Sequence, residues 1–227
     1  GERRARHFEV SVRLRTEANE EIDADYYTSI ATQTGLLARI DAAKLARTAV
    51  VANRLRARGS GGSLFSTLAG ESLADDGFLN AFADVFAKDD GLGSRLVLTF
   101  TQDDVRAFSE AHWDAVSTMA EIGLRFSLEA VSDLDMDFER LKKNGFDFVK
   151  LDAEVFLRGL PLGTGNVPST DLCRHLSSLG LAVIVGRITD ERDLAKIMGF
   201  GVLFGQGMLF GAPRPVKVDI RPAQAAA

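Results

Sequence analysis

From residue 95 onward the apolar positions alternate between two periods. RLVLTF (95 to 100) is a short apolar run, TQDDVRAFSEAHWDAVSTMAEIG (101 to 123) repeats apolar residues at helical spacing and stops at Gly123, and LRFSLEAV (124 to 131) is strand-like again. DLDMDFERLKKNG then predicts a helix closed by Asn144 and Gly145, FDFVKLD (146 to 152) a strand, PSTDLCRHLSSLG a helix, LAVIVG a strand, TDERDLAKIMGFG a helix and VLFGQG a strand. The earlier half is punctuated more loosely. It predicts a strand at HFEVSVRL (7 to 14), helices around 24 to 33 and 39 to 58, a break at RGSGGS, a strand at SLFSTL (63 to 68) and a helix from Glu71 to Lys88. Seven strands, with an eighth expected between Met208 and Val218, alternate with helices. That order predicts an α/β fold closed as a (β/α)8 barrel, with an open doubly wound sheet as the alternative.

Composition narrows what such a fold serves. With 227 residues, 46% of them hydrophobic, the chain is long enough for one large domain, expected over 1–227 with its core from 7 to 217. It starts at Gly1 rather than Met, which predicts a piece excised from a longer protein whose anchor or partner domains lie upstream. Thirty-two acidic against 27 basic residues argue against a groove for a nucleic acid polymer. The chain holds no run of about 18 apolar residues, so nothing in this fragment is expected to span a membrane, and its cysteine usage fits a reducing compartment such as the cytoplasm. A single cysteine, Cys173, excludes an internal disulfide and a cysteine-rich zinc site, and its place in DLCRHLSSLG predicts a buried structural role. The chain has no GxxxxGK[ST], and GFGVLF places Phe204 where a dinucleotide fingerprint needs glycine, so both phosphate loops are rejected.

In a βα barrel the C-terminal ends of the strands converge on one mouth. Those positions hold Thr67, Thr99, Glu129, Lys150 with Asp152, Gly186 and Gln206. Lys150 and Asp152, two apart on a strand, share a side. A lysine at a buried strand end needs a partner, and a structural salt bridge or a ligand phosphate would serve equally.

At this point several motifs carry a resemblance. HFEVSVRL, YYTSIATQTGLLARID, RLVLTFTQ, GLRFSLEAVSDLDMDFERLKKNGFDFVKLD and TDERDLAKIMGFGVLFGQGMLFGAPRPV resemble, in order and spacing, the EAL domain, a family of cyclic di-GMP phosphodiesterases and degenerate receptors. The resemblance spans residues 7 to 217, rests most firmly on KxD followed by QGxLFxxPxP, and implies a modified TIM barrel. It matches the signature triplet to Glu9, Val10 and Ser11, the ligand-contacting arginine to Arg13, and the site lysine and glutamine to Lys150 and Gln206, with Asp152, Phe210 and Pro213 inside the same motifs. It also marks losses. Metal-binding asparagine and glutamate become Thr67 and Thr99, the glutamate that steadies the loop over the metals becomes Gln102, and the paired aspartates become Glu129 and Ala130. The EGVE stretch becomes GRIT, with Gly186 and Thr189 for its glutamates and Arg187 for its glycine.

Two-metal hydrolysis, as the resemblance implies it, needs carboxylate ligands. The losses therefore imply no enzyme, no metal and no other cofactor, with cyclic di-GMP held as a ligand by Arg13, Lys150 and backbone amides. Arg187 beside the vacated acid positions is read either as a phosphate clamp or as an exposed helix-entry residue near Asp190. The EVS opening and Ala-rich tail resemble flagellar-assembly relatives of the TipF type, which implies flagellar protein partners. A ligand-free protein-docking module is the alternative, and a residual phosphodiesterase a further one.

Overall fold

The computed structural model describes residues 7–22, 24–59, 61–89 and 91–216. Its centre is a seven-stranded parallel sheet. In chain order the strands are β1 (Phe8–Val10), β4 (Leu64–Thr67), β5 (Leu96–Thr101), β6 (Arg125–Glu129), β7 (Phe146–Asp152), β10 (Ala182–Gly186) and β11 (Phe204–Gly205), and each pairs with the next. Two hairpins lie outside it, β2 (Leu14–Arg15) with β3 (Glu21–Ile22) and β8 (Leu160–Leu162) with β9 (Gly165–Val167). Nine helices accompany them among the described residues: α1 (Ala24–Gln33), α2 (Leu37–Ala57), α3 (Asp76–Phe86), α4 (Gln102–Arg106), α5 (Glu110–Glu121), α6 (Phe138–Lys143), α7 (Ala153–Arg158), α8 (Ser169–Ser178) and α9 (Glu191–Gly199). None of these helices is long and apolar enough to cross a membrane.

The two faces of the curled sheet carry different side chains. Phe100, Phe126, Leu128, Phe146 and Leu151 face outward into the layer beneath the helices and are essentially inaccessible. Phe65, Val97, Phe148 and Ile184 form a separate cluster, with Phe204 packed against it. The His7 ring lies edge-on to Phe65, Phe148 and Phe204 at 5.7, 6.0 and 5.5 Å, so the first and last strands approach at the bottom of the curl. The result is the curled form of a modified α/β barrel.

Local capping explains where elements differ from the pattern. The expected helix over 101–123 is two helices because it contains two N-caps: Thr101 and Asp104 form a capping box that starts α4, and Ser109 with His112 forms another that starts α5. The helix expected from Glu71 starts instead at Asp76, since the Asp75 carboxylate accepts from Phe78 N at 2.7 Å and leaves residues 70–74 as a 3₁₀ turn. Asp137 caps α6 in the same way, which keeps residues 131–136 out of the helix.

The eighth strand is corrected. Residues 208–216 contain no strand, since Phe210 N bonds Gly207 O at 3.0 Å in a turn, and residues 217 and 218 lie outside the described residues. The expected first strand, 7 to 14, is shortened to three residues because Leu14 pairs with Ile22 in the β2–β3 hairpin. Cys173 is half-buried against the core rather than fully enclosed, and burial pushes its thiol up.

Candidate functional site

The strand ends gather a small charged network around Lys150. In β7 the alternation of the pleat turns Phe148, Lys150 and Asp152 to the inner side, with Phe148 in the bottom cluster and Lys150 one layer above. Its ammonium donates to Glu9 Oε2 of β1 at 2.7 Å and approaches Glu129 Oε2 of β6 at 3.4 Å. Gln206 Nε2 donates to the same Glu9 oxygen at 2.6 Å, and Thr67 Oγ1 donates to Glu129 Oε1 at 3.3 Å. Lys150 and Glu129 are under one-fifth exposed, and Glu9 is 35% exposed. Attraction at such distances is several-fold stronger than in bulk water, so the lysine screens the repulsion between the two carboxylates although it offsets only one of their two charges.

Asp152 and Arg187 form a second pair beside this network, Nε to Oδ2 at 3.3 Å, with the arginine 82% exposed. They line a cavity of about 450 Å³ together with Ala153, Glu154, Leu157, Thr189 and Asp193. Asp190, the neighbour expected for Arg187, caps α9 instead by accepting from Asp193 N.

Two mouth residues hold left-handed backbone without being glycine. Ala130 follows Glu129 with φ 53°, and Arg187 follows Gly186 with φ 54°. Such positions cost of the order of 1–3 kcal/mol each and persist only where surrounding structure enforces them.

The stretch from Phe204 to Pro215 owes its course to Gly207. Its φ is 152°, and a Cβ there would sit 2.1 Å from Ile188 O and 2.4 Å from Ile188 N. That contact-free face lets the chain dock on the turn after β10: Ile188 N donates to Gln206 O, Gln206 N to Val185 O and Leu209 N to Ile188 O. The docking aims Gln206 at Glu9. Phe210 lies over Gly205, where an added Cβ would meet its ring at 3.2 Å.

Of the residues singled out from sequence, Glu9, Glu129, Lys150 and Gln206 are thus brought together, with Asp152 and Arg187 beside them. Others are not. Arg13 is exposed and pairs with Glu21 at 2.9 Å across the β2–β3 hairpin. Val10 packs against the outer core, while Ser11 and Pro213 are exposed. Sequence reasoning missed Thr67 as the partner of Glu129, whereas Gln102, which the resemblance puts at the place of a loop-steadying glutamate, is 1% exposed and grips the loop at Ser132 and Asp133.

The donor set does not suit a pair of hard cations. Among the described residues no three of His, Cys, Asp and Glu gather as metal ligands, and Thr67, Thr99 and Ala130 supply no carboxylate. Glu9 and Glu129 are both engaged by Lys150.

The model of the EAL domain family matches residues 1–213. The chain belongs to that family. Among solved structures this EAL domain is similar to the FimX EAL domain of Pseudomonas aeruginosa bound to c-di-GMP, at 19% identity and TM-score 0.75, covering 90% of this chain and 82% of that one. The Xanthomonas citri FimX EAL domain in complex with c-diGMP gives 16% and 0.75, covering 92% and 83%. The EAL enzyme Bd1971, in its cAMP and cyclic-di-GMP bound form, gives 16% and 0.73, covering 90% of this chain and 57% of that one. This EAL domain therefore spans little more than half of the Bd1971 chain. At such identities the likeness establishes the fold. No curated protein matches the chain.

Proposed function

We propose that this EAL domain is a catalytically inactive receptor that binds cyclic di-GMP without metal or other cofactor and signals, in the cytoplasm, to protein partners of the flagellar-assembly kind. The observation that carries the proposal is the place of Lys150 between Glu9 and Glu129. A protonated amine there supplies the countercharge that a divalent ion would otherwise supply, and Gln206 adds a neutral donor at the same carboxylate. The acids missing at Thr99, Ala130, Gly186 and Thr189 would have repelled a dianionic ligand in the absence of metal. Two EAL domains of similar fold, from Pseudomonas aeruginosa and Xanthomonas citri, are described with c-di-GMP bound, which supports the choice of ligand. In this reading Glu9, Val10, Ser11, Arg13, Glu129, Lys150, Asp152, Arg187, Gln206, Phe210 and Pro213 border the ligand, and Arg13 exchanges Glu21 for phosphate.

A second reading has its own observation. Arg13 and Lys150 both already have carboxylate partners, which is the arrangement a ligand-free docking module would keep. Thermal unfolding with cyclic di-GMP in EDTA separates the two. A micromolar receptor in about a hundredfold excess of ligand over Kd gains about 2.7 kcal/mol, or about 5–10 °C for a domain of this size. An unchanged melting temperature in folded protein would favour the docking module.

A further inference from the structure

The outer face of α2 is opposite in sign to the chain that carries it. Residues 37–58 hold six basic side chains and one acidic one, a net of +5 in a protein whose formal charge is −5. The single acid faces inward. Asp41 is 2% exposed: Oδ1 pairs with Lys44 at 2.7 Å, and Oδ2 accepts from Ala69 N at 3.0 Å and from Ser72 Oγ at 2.8 Å, which fixes the helix against the turn that follows β4. Arg56 is taken as well, held by both oxygens of Asp89 at 2.8 Å.

What remains outside is a row of one sign. Arg39, Ala43, Arg47, Val50, Arg54 and Arg58 follow one another at steps of three and four, so they share one face, about 29 Å long at about 1.5 Å per residue. Arg54 is half-buried and the other five are exposed. Among the described residues Arg39, Arg47 and Arg58 enter no ion pair. Helix stability does not account for the row: arginines in the last turn complement the helix dipole, but Arg39 stands in the first turn, where a cation is unfavourable and no acid offsets it. An ordinary solvated face alternates the two signs.

The side chains between the arginines are small. Ala43, with Ala46 and Ala57 beside the row, lets a second helix approach to an axial distance of about 8–10 Å, with the guanidinium groups reaching its carboxylates from the flanks. A lipid surface fits less well, because a helix that seats in a bilayer interface presents a row of large apolar side chains, and among the described residues of α2 only Val50 is such a side chain and exposed. We infer that this face is a docking surface for an acidic helix of a protein partner, with carboxylates three and four residues apart. The inference rests on the signalling half of the proposed function and is independent of the nucleotide.

The probe is a synthetic peptide, EAAAEAA repeated three times, whose glutamates fall at that spacing; it is added without nucleotide while the amide resonances of the domain are followed. The shifts should map to the outer face of α2, and the affinity should fall as NaCl rises from about 0.05 to 0.3 M, since exposed pairs are screened. Arg39→Glu combined with Arg47→Glu should weaken binding at least about tenfold, with Tm within about 4 °C of wild type. Arg39→Gln with Arg47→Gln should act in the same direction by a smaller factor. Shifts that are absent or lie elsewhere would overturn the inference, as would equal binding of a peptide with the same glutamates gathered in one block. An affinity indifferent to the charge reversals would do so too, and so would a wild-type domain that sediments with phosphatidylserine vesicles and leaves the peptide unbound. A domain that binds no cyclic di-GMP would remove the receptor reading alone, because the peptide measurements contain no nucleotide.

Discussion

Gln206 and Glu9 are 197 residues apart and share a hydrogen bond of 2.6 Å that joins the last strand of the sheet to the first at the mouth. The same Glu9 oxygen takes the Lys150 ammonium at 2.7 Å. An oxygen so occupied is a poor ligand for a divalent cation, which must displace both donors to reach it.

The expected chemical outcome is no hydrolysis. Cyclic di-GMP incubated with the domain in Mg²⁺ or Mn²⁺ should remain intact by chromatography. Linear pGpG formed in proportion to protein, and lost in Glu9→Ala, would show that a working metal centre assembles after all.

Removing the cation should expose the repulsion it masks. Lys150→Met leaves Glu9 and Glu129 facing one another, at a cost of about 1–3 kcal/mol once partial solvent screening is allowed for. Denaturant unfolding measures it. Adding Glu129→Gln to Lys150→Met should recover part of the loss, because the two sites are coupled; strictly additive destabilisation would mean that the ion pairs contribute little.

How much of this was legible in the sequence depends on the range of each interaction. The βα alternation was legible because runs such as LVLTF are mostly apolar and buried on both faces. The break between α4 and α5 was not, since Ser109 caps a helix whose apolar spacing continues across it. Lys150 was legible as a cation in need of a partner, but Glu9 is 141 residues away, and only the family resemblance placed both at one mouth. Gln102 was legible only through the resemblance, as the place of a glutamate that steadies the loop. Its role depends on two carbonyl and amide groups 30 and 31 residues further on, for which spacing offers no signal.

Gly207→Ala tests the docking of the last strand. A methyl group 2.1 Å from a backbone oxygen cannot be relieved by a side-chain rotation, so the chain must move. Overpacking of this kind costs about 1–3 kcal/mol, which lowers Tm by about 2–12 °C at this size. A Tm within a degree of wild type would mean that the turn at Ile188 yields freely.

The loop between β6 and α6 should also respond to acid. The Asp135 amide, then Arg106 and Ser132, hold the Asp133 carboxyl below the usual carboxylate range. A carboxylate lowered on folding contributes stability that is complete above its unfolded pKa, about 3.9, and is lost as pH falls through the folded value. Exchange at residues 132–136 should therefore quicken below about pH 4, and Asp133→Asn should remove that step. A loop whose exchange followed only the intrinsic pH dependence in both proteins would dismiss the carboxylate as its anchor.

Arg187 offers the sharpest separation of ligand chemistry from fold, because its backbone and its side chain can be tested apart. The side chain reaches Asp152 while its backbone holds φ 54°. Alanine removes the guanidinium and keeps a Cβ in the left-handed region; glycine removes the guanidinium and the backbone penalty together, about 1–2 kcal/mol. If the guanidinium clamps a phosphate, Arg187→Ala and Arg187→Gly should both lose affinity for cyclic di-GMP by about tenfold or more, equivalent to about 1.4 kcal/mol, when measured by calorimetry in EDTA. Glycine should at the same time melt higher than alanine. Equal affinity in all three proteins, with glycine still the more stable of the two variants, would assign Arg187 to the surface pair with Asp152 and leave the phosphates to Lys150 and Arg13.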